Sequence, residues 1–180
     1  MTAPQRFYRE VSLLKDGDRY KVQLDGRTAK TVGRQDLSAN HTLAEALREE
    51  WDRQDKEIRL DSMPLTRLHG FALDAGNEGR AEFIETILQY AGSDLLCYRA
   101  EVDDLAARQE EAFAPFLSRA EEEELRFHHA AGLVPITQPD ETIRTLRLIL
   151  ERKTTSEIFA RKLLTEILGS AILALYAEND

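Results

Sequence analysis

The sequence predicts an α+β protein in which a small N-terminal antiparallel β-rich domain precedes a larger α-helical domain. In the first third of the chain apolar and polar residues alternate, as is typical of strands. After Gly33 apolar residues recur every three or four positions, as is typical of helices. Pro64 disfavours helical geometry at Met63 and suits the first turn of a following helix. We therefore expect one domain over residues 1–62 and a second over residues 63–180.

The β-rich domain is predicted to be a meander of three strands. Apolar and polar side chains alternate cleanly from Arg19 to Leu24, so this segment is the expected central strand. Asp25-Gly26 follows it, and this dipeptide suits a two-residue hairpin turn that requires positive φ angles. We expect residues 6–14 and 27–32 to form the other two strands.

A helix is expected after the meander. Leu43, Leu47 and Trp51 recur at a spacing of four and would form one apolar stripe. Thr42 and Glu45 have the spacing of a capping box, which predicts where the helix begins. We expect this helix to lie against the sheet.

Helical patterns dominate the second domain. An apolar stripe that includes Phe83 and Ile87 predicts a helix that ends near Gly92. Two final helices are predicted over residues 141–152 and from residue 155 to about residue 176. The second domain is therefore expected to build its own helical core.

Composition and charge limit the classes of function. With 180 residues and 42% hydrophobic content, the chain can build one good core or two small ones. A net charge of −9 argues against nucleic acid as a partner, because phosphate recognition needs a basic surface. The longest apolar run is too short to span a bilayer and no signal-like segment opens the sequence, so we expect no membrane partner and a cytoplasmic location. The single cysteine, Cys97, has apolar neighbours and is expected to be buried in a reducing compartment.

The sequence offers no clear catalytic or cofactor motif. It contains no glycine-rich phosphate loop, and the adjacent His128 and His129 would point about 100° apart on a helix. His41, Glu45 and Glu49 fall at i, i+4 and i+8, a spacing that can place metal ligands on one helix face. No second set of ligands accompanies them. We therefore expect no cofactor and no enzyme activity, with a metal-binding enzyme at this face as an alternative.

Two residues admit both a structural and a functional role. Trp51, on an amphipathic helix, would typically be a core residue, and its other role would be an anchor in a protein interface. Asp94 could serve as an acid or base, although a helix cap is the ordinary role for such an aspartate.

Eight short motifs stand in order along the chain. They are Arg6-Phe7-Tyr8, Leu24-Asp25-Gly26-Arg27, Lys30-Thr31, Leu43-Ala44, Glu50-Trp51-Asp52 with Gln54, Met63-Pro64-Leu65-Thr66 with Leu68, Asp94-Leu95-Leu96 with Tyr98-Arg99, and Gly169-Ser170 with Ala174-Leu175. In this order they resemble the assembly chaperones of the F-type ATP synthase catalytic head, specifically those that hold the unassembled alpha subunit. Each motif alone is weak, but the ordered set across residues 6–175 is specific.

The resemblance implies a function as well as a fold. Such a chaperone binds the newly made alpha subunit through an apolar surface that the beta subunit later covers, and it prevents aggregation until the hexamer forms. It uses no nucleotide. The exposed apolar patch of an orphan subunit favours aggregation, so reversible shielding is sufficient. A generic protein-interaction module with another client is the remaining alternative.

The resemblance also implies a set of partner-binding or site-shaping residues, none of them catalytic and none a metal ligand. They are Glu50, Trp51, Gln54, Asp94, Tyr98 and Arg99. The first three are expected to fix the first helix against the sheet and to shape a client groove. The last three are expected to organise the junction between the two domains.

The sequence departs from the family at its C-terminal end. Family members continue for some tens of residues beyond the helix that contains Gly169-Ser170, whereas this sequence ends at Asp180. We therefore expect either a shortened member or a helical domain that closes differently, through self-association of an exposed C-terminal apolar stripe.

Overall fold

The computed structural model describes residues 4–177. The chain forms two compact units, the first ending at Gly76 and the second beginning at Asn77. The first unit contains an antiparallel sheet and the second is mostly helical, which confirms the predicted α+β class. These units differ from the predicted domains by one segment, because residues 63–76 belong to the first unit. No helix in the described range is long and apolar enough to cross a membrane.

The secondary structure of the described residues consists of short strands and six α-helices. The strands are β1 Val11–Asp16, β2 Arg19–Leu24, β3 Arg27–Thr28, β4 Ser38–Ala39, β5 Tyr98–Arg99 and β6 Ala130–Ala131. The helices are α1 His41–Asp52, α2 Pro64–Gly92, α3 Asp103–Glu122, α4 Asp140–Glu151, α5 Thr155–Leu168 and α6 Ala171–Tyr176. Short 3-10 turns span Leu60–Ser62 and Leu95–Cys97.

The sheet of the first unit is built around β2. Both β1 and β3 pair with β2 in antiparallel orientation, which confirms the predicted meander. Asp25 and Gly26 have φ angles of 48° and 76°, as a two-residue hairpin turn requires, so the predicted turn is confirmed. The two outer strands were predicted to extend too far. Strand β1 begins at Val11 rather than at residue 6, and β3 ends at Thr28 rather than at residue 32.

A tight turn shortens β3. The backbone N–H of Thr31 donates to the carbonyl of Gln35 at 2.9 Å, and Arg34 adopts a positive φ of 65°. The chain therefore reverses direction soon after Ala29, and β4 returns to pair with β2. The sequence analysis did not predict β4.

Helix α1 begins earlier than its predicted capping box. The side chain of Asn40 accepts a hydrogen bond from the N–H of Leu43 at 2.9 Å, which satisfies a helix-terminal donor. The predicted box at Thr42 is therefore wrong, and Glu45 instead pairs with Arg48 at 2.7 Å. The apolar face of α1 packs into the core of the first unit, whose buried residues are Tyr8, Val22, Leu24, Ala29, Leu37, Ala39, Ala44, Leu47, Trp51, Ile58 and Met63.

Helix α2 begins at Pro64 and ends at Gly92, as the sequence predicts. It is interrupted at Gly76, whose φ of 60° and ψ of −152° lie in a region of backbone conformation that is essentially confined to glycine. The interruption coincides with the end of the first unit.

The second unit has its own helical core. The predicted stripe on α2 is confirmed, because Phe83 and Ile87 are buried. The predicted single helix from residue 155 to residue 176 is wrong. Gly169 has a φ of 68° and caps the end of α5, so α6 is a separate helix. The other large buried apolar residues of this unit include Ile84, Leu88, Leu96, Leu117, Leu125, Phe127, Leu146, Leu150, Ile158, Phe159, Ile172 and Leu175.

The C-terminal apolar stripe is partly buried and partly exposed. Ile172 and Leu175 of α6 are 2% and 6% exposed within the second unit, whereas Ile167 and Leu168 at the end of α5 are 78% and 37% exposed. Self-association of the chain through its C-terminal helix stays a prediction. Cys97 is buried as predicted, and its burial raises the pKa of the thiol to about 12.

Candidate functional site

A buried carboxylate joins α1 to the start of α2. Glu50 is 6% exposed, and its two oxygens accept hydrogen bonds from the N–H groups of Leu65 at 2.8 Å and Thr66 at 2.7 Å. The first N–H groups of a helix have no partner within the helix, and the helix dipole favours a negative charge at this end. The motif around Glu50 and the motif around Thr66 are therefore bound directly to each other.

Gln54 holds the chain segment between these two helices. Its side-chain amide donates to the carbonyl of Glu50 at 3.0 Å and to the hydroxyl of Ser62 at 3.2 Å. Its side-chain oxygen accepts from the N–H of Arg59 at 2.8 Å. The guanidinium of Arg6 also donates to the backbone carbonyl of Gln54. Gln54 is thus a buried structural residue of the first unit.

Trp51 packs against the first family motif. The ring centroids of Tyr8 and Trp51 are 5.8 Å apart with an interplanar angle of 61°, and the Tyr8 hydroxyl donates to the Trp51 carbonyl at 2.7 Å. The Arg6 guanidinium lies 4.5 Å from the centroid of the Tyr8 ring. These contacts fix the C-terminal end of α1 and leave Trp51 only 9% exposed.

An apolar cavity of about 470 Å³ opens beside the Trp51 ring. This volume lies within the range of roughly 300–1,000 Å³ that is typical of binding sites. Val32, Leu60 and Phe71 at its border are 96%, 49% and 56% exposed, which favours a binding surface over a core. We call the cavity the Trp51 pocket, and its lining residues are Lys30, Thr31, Val32, Leu37, Trp51, Leu60, Thr66, Arg67, Gly70, Phe71 and Asp74.

A second cavity of about 710 Å³ extends this surface. It shares Lys30, Trp51 and Leu60 with the Trp51 pocket, so Trp51 lines both cavities. Phe7, which is 72% exposed, also lines the second cavity. The first unit therefore presents a contiguous apolar surface centred on Trp51.

Two residues that line the Trp51 pocket each carry a buried polar atom without a hydrogen-bond partner among the described residues. The atoms are Nε1 of Trp51 and Oγ1 of Thr66, and each residue is 9% exposed. A buried polar group without a partner costs about 1–3 kcal/mol. Within the described range Arg99 Nη2 and Thr165 Oγ1 are also unpartnered, but they line neither cavity. All of these atoms are closed to solvent, so the first unit offers a partner its apolar cavity walls rather than these polar atoms.

The buried carboxylate of Asp94 in the second unit, in contrast, has several hydrogen-bond partners. Its carboxylate accepts from the N–H of Leu96 at 3.0 Å, the hydroxyl of Ser170 at 2.7 Å and the N–H of Ile172 at 3.1 Å. Burial raises the pKa of this carboxyl, and the three hydrogen bonds oppose that shift. Asp94 therefore links the 3-10 turn Leu95–Cys97 to the start of α6, and two distant family motifs meet through it.

Tyr98 and Arg99 follow Asp94 and form β5. This strand pairs in parallel with β6. The Arg99 guanidinium donates to the carbonyl of Leu96 at 2.7 Å and pairs with Glu110 at 2.7 Å, and it lies 5.0 Å from the centroid of the Phe113 ring. These contacts lie within the second unit and organise its interior.

The six predicted site residues therefore fall into two groups. Glu50, Trp51 and Gln54 lie together in the first unit, and Asp94, Tyr98 and Arg99 lie together in the second. Their roles in partner binding stay a prediction. The sequence analysis missed Val32, Gly70 and Phe71, which share no motif or period and meet only through the fold of the first unit.

The predicted alternative of a metal site on α1 gains no support. His41 Nε2 lies 3.8 Å from Glu45, but Glu45 also pairs with Arg48, and Glu49 pairs with Arg53 at 2.6 Å. These arginines already neutralise both carboxylates. Among residues 4–177 no group of three metal-ligating side chains is found.

The fold and the apolar surface together define a class of protein. An α+β chain with an open apolar cavity bordered by exposed apolar side chains is suited to binding another protein. A family model described as "ATP12 chaperone protein" matches residues 5–121. The chain therefore belongs to the ATP12 chaperone family, which confirms the resemblance to assembly chaperones of the ATP synthase head.

Solved structures agree with this family. Atp12 from Paracoccus denitrificans is 30% identical with a TM-score of 0.87, and a single-substitution variant of it is 29% identical with a TM-score of 0.89. In both comparisons the match covers 96% of this chain and 75% of the other. Atu1473 from Agrobacterium tumefaciens, described as a proposed chaperone, is 34% identical with a TM-score of 0.85, and the match covers 96% of this chain and 66% of that one.

Proposed function

We propose that this chaperone binds the unassembled alpha subunit of F-type ATP synthase and prevents its aggregation before the hexamer forms. The single observation that carries the proposal is the exposed apolar surface around Trp51, in a chain that belongs to the ATP12 family. An orphan subunit exposes the apolar surface that its neighbour will cover, and a second apolar surface can shield it reversibly.

The proposed activity is holding rather than catalysis. The surface offers Val32, Leu60 and Phe71 as exposed apolar contacts. The nearby Asp74 carboxylate accepts hydrogen bonds from the Thr31 hydroxyl and from the Gly33 N–H, the latter at 2.8 Å, so it is already engaged within the unit. Binding through such a surface requires no cofactor. We also propose the bacterial cytoplasm as the location, which fractionation of the source cells would test.

Co-expression with the alpha subunit in the absence of the beta subunit tests the proposal. We expect the alpha subunit to remain soluble and to co-purify with this chain. Aggregation of the alpha subunit beside a folded chaperone chain would contradict it.

A matched pair of variants tests which face holds the client. Phe71 and Leu148 are both 56% exposed, but Phe71 lines the Trp51 pocket and Leu148 belongs to α4 of the second unit. We expect Phe71→Ser to reduce the yield of soluble alpha subunit and Leu148→Ser to leave it unchanged. Equal losses in the two variants would show that holding does not depend on this face.

A further inference from the structure

Val32 stands in a tight turn and lies outside the core of the first unit. Its side chain is 96% exposed. The N–H of Arg34 donates to the carbonyl of Thr31 at 3.0 Å, which makes Val32 the second residue of a hydrogen-bonded β-turn. Turns favour glycine, proline, asparagine, aspartate and serine, each for a local reason that does not apply to valine. Neither core packing nor turn chemistry therefore explains a valine at this position.

A single carboxylate binds the residues on both sides of Val32. Asp74 of α2 accepts hydrogen bonds from the hydroxyl of Thr31 and from the N–H of Gly33, the latter at 2.8 Å. The Thr31 hydroxyl in turn accepts from the N–H of Gln35 at 3.0 Å. Water could satisfy these groups on an exposed turn, so the fold does not require the carboxylate there. Its effect is to fix the two neighbours of Val32 to a helix.

The close approach of Asp74 depends on glycine at position 33. A Cβ atom added to Gly33 would lie 2.6 Å from Asp74 Oδ1 and 2.7 Å from Asp74 Cγ, which is closer than such atoms can pack. Gly33 does not have a positive φ angle, so the backbone conformation itself does not call for glycine. Any side chain at this position would therefore displace the carboxylate from the turn.

The fixed turn stands at the border of the Trp51 pocket. Thr31, Val32 and Asp74 all line this cavity, as does the exposed Phe71 of α2. An apolar side chain on a mobile turn loses conformational freedom when a partner covers it, and this loss weakens binding. A turn that is already held in one geometry avoids most of that loss. The hydrogen bonds of Asp74 thus favour binding through Val32.

We propose that Asp74 is a positioning residue for client binding, because its carboxylate holds the turn so that Val32 is a preformed apolar contact for the client. The proposal rests on the proposed function, which identifies the client as the ATP synthase alpha subunit, bound through an apolar surface that is exposed before assembly. Asp74 acts through Thr31 and Gly33 and need not touch the client. The group that meets the client is the valine side chain.

Amide hydrogen exchange tests the turn without the client. Asp74 is the acceptor of the Gly33 N–H, so we expect this amide to exchange about fivefold faster in Asp74→Ala than in the wild-type chain. Asp25→Ala is the matched control, because Asp25 is another exposed carboxylate of the first unit that accepts from backbone N–H groups. It should leave the exchange of Gly33 unchanged. An unchanged exchange rate of Gly33 in Asp74→Ala would overturn the proposal.

A double-mutant cycle tests whether Asp74 acts through Val32. Wild-type and variant chains with different tags compete for limiting alpha subunit during co-expression, and the ratio of the captured alpha subunit gives their relative affinity. We expect Asp74→Ala to weaken binding about fivefold in the wild-type chain, and less than about twofold when Val32→Ser is already present. No effect of Asp74→Ala, or an equal effect with and without Val32→Ser, would overturn the proposal.

Two further variants complete the cycle. Leu133 of the second unit is 94% exposed, so Leu133→Ser is a matched control in which Asp74→Ala should keep its full effect on binding. Gly33→Ala displaces the carboxylate without removing it, and it serves if Asp74→Ala does not fold. We expect Gly33→Ala to weaken binding by about the same factor as Asp74→Ala, whereas binding as tight as that of the wild type would overturn the proposal. Thermal unfolding confirms that each variant is folded.

The two proposals fail in different ways. If the wild-type chain and the Asp74 and Gly33 variants hold the alpha subunit equally, the positioning role is overturned and the proposed function stands. If the wild-type chain does not hold the alpha subunit, the proposed function fails and the positioning role fails with it. The exchange rate of Gly33 still decides, in that case, whether Asp74 fixes the turn.

Discussion

Two sets of buried polar atoms, one taken from each unit, differ in whether their hydrogen bonds are complete. Asp94 of the second unit accepts from Leu96, Ser170 and Ile172, and the cluster is closed. In the first unit Trp51 Nε1 and Thr66 Oγ1 have no partner among the described residues, and both residues line an open apolar cavity.

The difference separates structural from binding roles. A closed buried cluster stabilises the fold, and removing a member leaves costly unpaired groups behind. An unpaired group contributes nothing favourable to the fold, so its removal should be harmless to stability. The predictions below test this comparison, starting with the largest expected effect.

The largest effect is expected for Asp94→Ala. The substitution would leave the N–H groups of Leu96 and Ile172 and the hydroxyl of Ser170 without their acceptor. Since each buried unpaired group costs about 1–3 kcal/mol, we expect the free energy of unfolding to fall by about 3 kcal/mol or more. Urea unfolding measures this loss. A change below about 1 kcal/mol would contradict the structural role of the cluster.

Glu50→Ala should have the next largest effect, because Glu50 is a closed contact within the unit that holds the pocket. Its loss would expose two unpaired N–H groups at the start of α2 and remove a charge that the helix dipole favours. We expect a loss of about 2–3 kcal/mol in urea unfolding. Glu50→Gln retains one acceptor, so its free energy of unfolding should lie between those of Glu50→Ala and the wild type. If both variants were as stable as the wild type, Glu50 would not cap α2.

A pair of buried threonines tests the same comparison, with a smaller expected change in the free energy of unfolding. Thr66 and Thr142 are each the third residue of a helix and each is buried, but the Thr142 hydroxyl donates to the Arg126 carbonyl at 2.7 Å. We expect Thr142→Val to lower the free energy of unfolding by about 1–2 kcal/mol. Thr66→Val should remain within about 0.5 kcal/mol of the wild type or be slightly more stable. Equal losses would mean that the Thr66 hydroxyl has a partner in solution.

The smallest effect is expected at Asp25, which is hydrogen-bonded but exposed. Its carboxylate accepts from the N–H of Glu10 at 2.8 Å and of Arg9 at 3.0 Å, and these bonds lower the pKa of the carboxyl. Its contribution to stability is therefore complete above the unfolded pKa of about 3.9 and is lost as the pH falls through the lower folded value. We expect Asp25→Asn to differ slightly from the wild type at pH 7 and to converge with it in acid. A difference in stability between Asp25→Asn and the wild type that grows toward low pH would mean that folding raises the pKa of Asp25, and it would contradict the stabilising role of these hydrogen bonds.

Local chemistry explains what the sequence could predict. Asp25-Gly26 and Pro64 each restrict the backbone of a few residues, so the hairpin turn and the start of α2 follow from them directly. The strand and helix periods gave the α+β class in the same way. The predicted start of α1 was wrong because a second capping residue lay nearby. Asn40 caps this helix in place of Thr42.

Contacts between distant residues explain what the sequence could not predict. The Asp94 and Ser170 motifs were both recognised, but their hydrogen bond spans 76 residues and has no periodic signature. The Trp51 pocket likewise depends on Val32 and Gly70, which the tight turn after Ala29 and the packing of α2 bring beside the indole. Trp51 carried a signal as a lone aromatic residue on an amphipathic helix, and Lys30, Thr31 and Thr66 were recognised only as parts of family motifs.

The central claim is that the client occupies the Trp51 pocket, and the indole N–H reports on this directly. In a chain labelled with ¹⁵N-tryptophan, the single indole resonance can be followed as unlabelled alpha subunit is added. We predict that the indole resonance shifts in the complex, because client groups pack into the apolar cavity that Trp51 lines. Stable binding of the alpha subunit with an unchanged indole resonance would contradict the account.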